Sequence, residues 1–66
     1  MEIFLNGAAR QFDSPLTITQ LLEAIGDGTR RVAVEVNLEI VPKGAHATRE
    51  LASGDRVEIV HALGGG

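Results

Sequence analysis

The segment Arg56-Val57-Glu58-Ile59-Val60-His61-Ala62-Leu63-Gly64-Gly65-Gly66 alternates apolar and polar residues and then runs into glycine. Val57, Ile59 and His61 fall on one side and Arg56, Glu58, Val60 and Ala62 on the other, the period-two pattern of a strand with unlike faces. Beyond Leu63 no side chain is left to pack, and glycine is the residue most costly to order. Such an end adds nothing to the stability of a globular domain. One reading is a frayed terminus. The other, favoured here, is a working tail that presents a carboxylate on a thin strip of backbone. The expected organisation is a domain over residues 1–63 and a flexible glycine tail over 64–66.

Moving outward, Ser53-Gly54-Asp55 reads as the turn that launches this strand. Lys43 to Ala52 is irregular, with one helical turn expected around Ala47 to Leu51 and Leu51 in the core. Ile40-Val41-Pro42 reads as a short strand stopped by proline, after a turn at Asn37-Leu38-Glu39. Arg31 to Val36 is a central-strand pattern, with Val32, Val34 and Val36 inward.

The helix signals lie further upstream. Thr17 with Gln20 makes a capping box, and Leu16 with Leu21 the matching hydrophobic staple. Ile18, Leu21, Leu22 and Ile25 share one face at helical spacing, and Gly26 is placed to close the helix. A helix over about 18–25 is predicted. Residues 1–6 alternate as a strand. Asn6-Gly7 is a strong signal for a two-residue hairpin, and the return strand runs from about Ala9 to Asp13, with Phe12 its clearest core residue.

The order is hairpin, helix, strand, short strand, irregular turn, long strand. A right-handed crossover through the helix lets the last strand pair parallel to the first, in the middle of the sheet. The expected class is α+β, a β-grasp (ubiquitin-like) arrangement: a mixed four- to five-stranded sheet with one main helix on one face. It leaves the C-terminus free to protrude at a sheet end.

Composition narrows the function. Sixty-six residues make one small domain, and a chain of this size buries only about 60% of its unfolded surface, which argues against a roomy catalytic pocket. No run approaches a membrane span, and the start lacks a signal-peptide pattern. There is no cysteine, hence no disulfide, thiolate metal site or thiol nucleophile. A net charge of −3, with scattered basic residues and only Phe4 and Phe12 as aromatics, argues against nucleic acid. A cytoplasmic protein that meets other proteins fits these bounds.

Three stretches carry a family resemblance: Asn37-Leu38-Glu39-Ile40-Val41-Pro42-Lys43, Gly54-Asp55-Arg56-Val57-Glu58-Ile59-Val60 and His61-Ala62-Leu63-Gly64-Gly65-Gly66. Together with Asn6-Gly7 and the Leu21-Leu22 helix they resemble the sulfur carrier protein of thiamin biosynthesis, the ThiS family within the ubiquitin-like ThiS/MoaD superfamily. Leu38 departs from the glycine that many relatives would place there, which bears on the turn type. The resemblance implies a carrier rather than an enzyme. An E1-like adenylating enzyme of the ThiF type would use ATP-Mg to convert the Gly66 carboxylate into an acyl-adenylate. A cysteine desulfurase would supply sulfur for a thiocarboxylate, and thiazole synthase of the ThiG type would receive it. The carrier itself would bind no cofactor and no metal.

The residues are compatible with that chemistry. An ionised carboxylate is a poor electrophile and must be activated. Glycine at 64, 65 and 66 leaves the carbonyl carbon unhindered. Leu63, Gly64, Gly65 and Gly66 would thread a partner's active site, reaching roughly 13–14 Å when extended. Ordering them costs roughly 4–8 kcal/mol, so affinity must come from the folded domain. The expected docking surface is the sheet face away from the helix, where Phe4, Val60 and Ala62 would point, rimmed by Glu35, Arg56 and Glu58.

Other side chains read plainly. His61 is a solvated strand-end residue, His46 is structural with no second ligand at metal spacing, and Arg30-Arg31 is a solvated loop or a steering pair for an acidic partner. Glu35 and Glu58 are placed to face each other across strands, without the makings of a catalytic pair. Three alternatives stand beside the thiamin carrier: the small subunit of molybdopterin synthase, a ubiquitin-like modifier of lysines, and a β-grasp binding module with a passive tail. The free protein is expected to be a monomer.

Overall fold

The computed structural model describes residues 1–13, 15–28 and 31–61. The expected domain boundary between 63 and 64 lies outside them, as do Ala62, Leu63, Gly64, Gly65 and Gly66. Strands β1 (Glu2–Leu5) and β2 (Ala8–Gln11) form the opening hairpin, followed by helix α1 (Ile18–Ala24). Then come β3 (Val32–Val36), β4 (Glu39–Val41), a short 3-10 helix (Lys43–Ala45) and β5 (Arg56–His61). The sheet order is β2-β1-β5-β3-β4. β5 is parallel to β1 and antiparallel to β3, the mixed β-grasp arrangement expected from the strand lengths.

Both hairpin turns follow from backbone conformation. Asn6 (φ 48°) and Gly7 (φ 84°) take the two left-handed positions of the first turn. Asn37 (φ 53°) and Leu38 (φ 70°) take them in the second, which joins Val36 to Glu39. Leucine at the second position keeps the same tight turn, at a steric cost of about 1–2 kcal/mol for an L-residue in the left-handed region.

Helix α1 begins with the capping box in place: Thr17 Oγ1 accepts from the Gln20 N–H at 3.2 Å, and Gln20 Oε1 accepts from the Thr17 N–H at 2.9 Å. The segment after β4 caps the rest, its Arg49 and His46 carbonyls accepting from the Ile18 and Thr19 N–H groups, both at 3.1 Å. The first four helical amides are thus all bonded. At the other end Gly26 (φ 87°) donates to Glu23 and Asp27 to Leu22, the paired bonds of a left-handed helix stop.

The core joins Ile18, Leu21 and Leu22 of the helix to Ile3, Leu5, Val34, Val36, Val57 and Ile59 of the three inner strands. Leu51 closes it, as expected, and Leu16 packs on its margin.

Two expectations need correction. The helical turn falls at Lys43–Ala45, not Ala47 to Leu51: Pro42 (φ −64°) starts the winding, and the later residues are committed to the helix N-terminus and to the Leu51–Leu16 bond. The return strand ends at Gln11 rather than Asp13, and Phe12 lies just past it, half-buried and packed against the core, while all four β2 residues are exposed. An edge strand of Ala, Arg and Gln has little to bury, and the Phe12 main chain instead bonds with Met1.

Candidate functional site

The outer face of the sheet, opposite α1, gathers Phe4 from β1, Arg56, Glu58 and Val60 from β5, Glu35 and Ala33 from β3, and Ile40 from β4. Strand parity puts them there. Their neighbours Ile3, Leu5, Val57, Ile59, Val34 and Val36 all point to the helix side and are buried. Register places Phe4 opposite Arg56, Val60 opposite Ala33, and Glu58 opposite Glu35, which itself faces Ile40. Val60 is 62% exposed, Ile40 74% and Phe4 37%. A shallow depression of about 190 Å³ between β1 and β5 is lined by Phe4, Gly7, Arg56 and Glu58.

The structure therefore brings Phe4, Val60, Glu58, Arg56 and Glu35 onto one face. Ala62 falls outside the described residues. Ile40 joins the apolar part and was missed in sequence because, read as the start of a short strand, it gives no sign of which face it takes. Its pairing with the outward Glu35 decides that.

The strand that leads to the tail is held from both sides. Backbone parity along β5 is fixed by two bonds: the Phe4 N–H donates to the Asp55 carbonyl at 2.9 Å and the Asn6 N–H to the Val57 carbonyl at 2.8 Å. Past Leu5 the backbone of β1 turns away, and the Asn6 side chain takes over. Its Oδ1 accepts from the Ile59 N–H at 2.8 Å and its Nδ2 donates to the Ile59 carbonyl at 3.4 Å. On the other flank β3 pairs with β5 as far as Val32 opposite His61.

His61 is exposed at the strand end, as expected, and it also has a partner. Its Nε2 lies 2.9 Å from Asp27 Oδ2, tying the last described residue of β5 to the loop that ends α1. Nothing in the sequence joins residues 34 positions apart; the pairing exists because α1 ends over that end of β5.

His46 is buried, and its Nε2 donates to the Val41 carbonyl at 3.0 Å, a structural role. Asp55 anchors its turn: Oδ2 accepts from the Ala52 N–H and Oδ1 from Asn37 Nδ2. Among the described residues no three His, Asp or Glu side chains converge as a metal site. None of the described helices is long and apolar enough to cross a membrane.

Comparison with known proteins bears on the site. The model of the ThiS family matches residues 3–66, nearly the whole chain and through the glycines. The chain belongs to the ThiS family. The crystal structure of the thiamine biosynthesis protein (ThiS) from Geobacter metallireducens superposes with a TM-score of 0.86 at 32% identity, covering 100% of both chains. A thiazole synthase from Paramagnetospirillum magneticum is 46% identical over 66 residues, and one from Magnetococcus marinus 36%. This ThiS-family chain spans only 20% of the length of each of those two relatives.

Proposed function

We propose that this protein is the sulfur carrier of thiamin biosynthesis, working as a protein co-substrate through the carboxylate of Gly66. The observation that carries the reading is the family match running through Gly64-Gly65-Gly66, on a strand fixed in the middle of the sheet. In this scheme an adenylating enzyme of the ThiF type, using ATP-Mg, joins the Gly66 carboxylate to AMP and releases pyrophosphate. A persulfide formed by a cysteine desulfurase attacks the acyl carbon, and AMP leaves. A thiol then cleaves the resulting acyl disulfide, and the thiocarboxylate remains on Gly66. Thiazole synthase takes that sulfur. Between thiazole and molybdopterin as destinations, the two relatives named thiazole synthase favour thiazole.

The chain's own part is mechanical and electrostatic. Leu63, Gly64 and Gly65 thread the partner's channel, while the outer sheet face, with Phe4, Val60, Ile40 and Glu58, supplies the docking affinity, Ala62 being proposed to join that contact. No cofactor is held by the carrier. It works in the cytoplasm, as a monomer between encounters.

Intact mass spectrometry of the protein recovered from thiamin-producing cells tests this. The expected result is a fraction heavier by one oxygen-to-sulfur exchange, lost when Gly66 is deleted. A wholly unmodified population that forms no adenylate with an activating enzyme and ATP would overturn it.

A further inference from the structure

The helix side of the molecule carries a second feature. A cleft of about 420 Å³ lies between α1, β3 and the segment after β4, lined by Thr19, Leu22, Arg31, Val32, Lys43 and His46, with Gly28 at its margin. Its volume is within the range of small-molecule sites. The chain has nine Asp and Glu against six Lys and Arg, yet among the described residues no carboxylate lines this cleft. Among the described residues neither Arg31 nor Lys43 makes an ion pair. Both cations border the cleft and give it positive charge, which favours an anion there.

His46 supplies the second observation. Its side chain is 93% removed from solvent, since only 7% remains exposed, and its Nε2 must carry the proton it donates to the Val41 carbonyl. Among the described residues Nδ1 has no partner, yet no buried nitrogen is left unsatisfied, so Nδ1 is reached by solvent, and His46 lines the cleft. In that tautomer Nδ1 is left as an acceptor, open to a hydroxyl on a bound molecule. Among the described residues the Thr19 hydroxyl has no partner either. Leu22 and Val32 form an apolar floor, which strengthens charge-assisted bonds made above it.

We propose that this cleft binds a small phosphate monoester. A guanidinium fork and an ammonium match a dianion better than a single carboxylate, and the apolar floor accommodates the ester's organic body. The site lies on the opposite side of the sheet from the docking face, so both can be filled together. The proposal does not depend on the chemistry at Gly66.

An NMR titration of the whole protein with inorganic phosphate and with glycerol 3-phosphate, at ionic strength matched with chloride, tests it. Saturable shifts are expected at the amides of Thr19, Gly28, Val32, Lys43 and His46. Arg31→Gln with Lys43→Gln should weaken binding at least about tenfold. Both side chains are exposed, and the unliganded spectrum of the variant reports its fold; Thr19→Val serves as an independent second variant, expected to weaken binding less. Shifts that do not saturate, or that persist unchanged in the double variant, would overturn the site. Glutarate binding as tightly as the phosphates would overturn the phosphate assignment.

Discussion

Glu35 and Glu58 stand directly opposite each other across the β3–β5 ladder, on the outer face of the sheet. Like charges in cross-strand register destabilise a sheet by a few tenths to about 1 kcal/mol. Replacing Glu35 by Lys should therefore raise stability by roughly 0.5–1 kcal/mol, read as a higher urea midpoint at unchanged slope. The gain should shrink in high salt. No gain at low salt would mean that solvent already screens the pair. Because Glu58 sits beside Val60 on the proposed docking face, the same variant should bind an activating enzyme more weakly although it is more stable.

A second stability gain lies in the β3–β4 turn. Leu38 is 88% exposed and held at φ 70°, so its side chain buries almost nothing in return for the strain. Leu38→Gly should stabilise the protein by roughly 0.5–1 kcal/mol, the relief of left-handed strain less the added freedom of glycine in the unfolded chain. Equilibrium denaturation checks this. A loss of stability would show that Leu38 makes contacts its exposure denies.

Asn6 combines a turn conformation with a side chain that bonds the main chain of Ile59. Asn6→Gly keeps the first and removes the second. The expected cost is roughly 1–3 kcal/mol, because the Ile59 amide loses its partner beside the core. Hydrogen exchange at that amide should accelerate more than at Val34. Equal acceleration at both would mean that the whole sheet, not this anchor, has loosened.

On the docking face, Val60→Asp places a charge where an apolar side chain is 62% exposed. Stability should change by less than about 0.5 kcal/mol, while the rate of adenylation at subsaturating carrier should fall by at least about tenfold. Ile40→Asp should act in the same direction if β4 belongs to the contact. Unchanged kinetics for both would move docking to another face.

Much of this architecture was readable from local chemistry. The capping box, the Asn6-Gly7 turn and the three alternating strands each depend on residues within a few positions of one another, and each appears where its pattern places it. Features that depend on distant partners were hidden. His61 meets Asp27 only because the helix ends over β5. Ile40 is outward only because its register with Glu35 makes it so. The segment after Pro42 is shaped by the amides of α1 that it satisfies, and no periodicity records that obligation. The glycine end was conspicuous for the opposite reason: it offers nothing to the fold.

The position of β5 has a consequence for how the protein comes into being. The strand made last is the one that lies in the middle, supplying both interior ladders and two core residues, Val57 and Ile59. A nascent chain cannot close its sheet until residues 56–61 have left the ribosome, and a chain cut short before them leaves Ile3, Val34 and Leu21 uncovered for proteases to find. Only molecules that carry β5 survive as folded protein. Folding thus inspects each chain for β5, the strand that leads toward the glycines of the proposed tail.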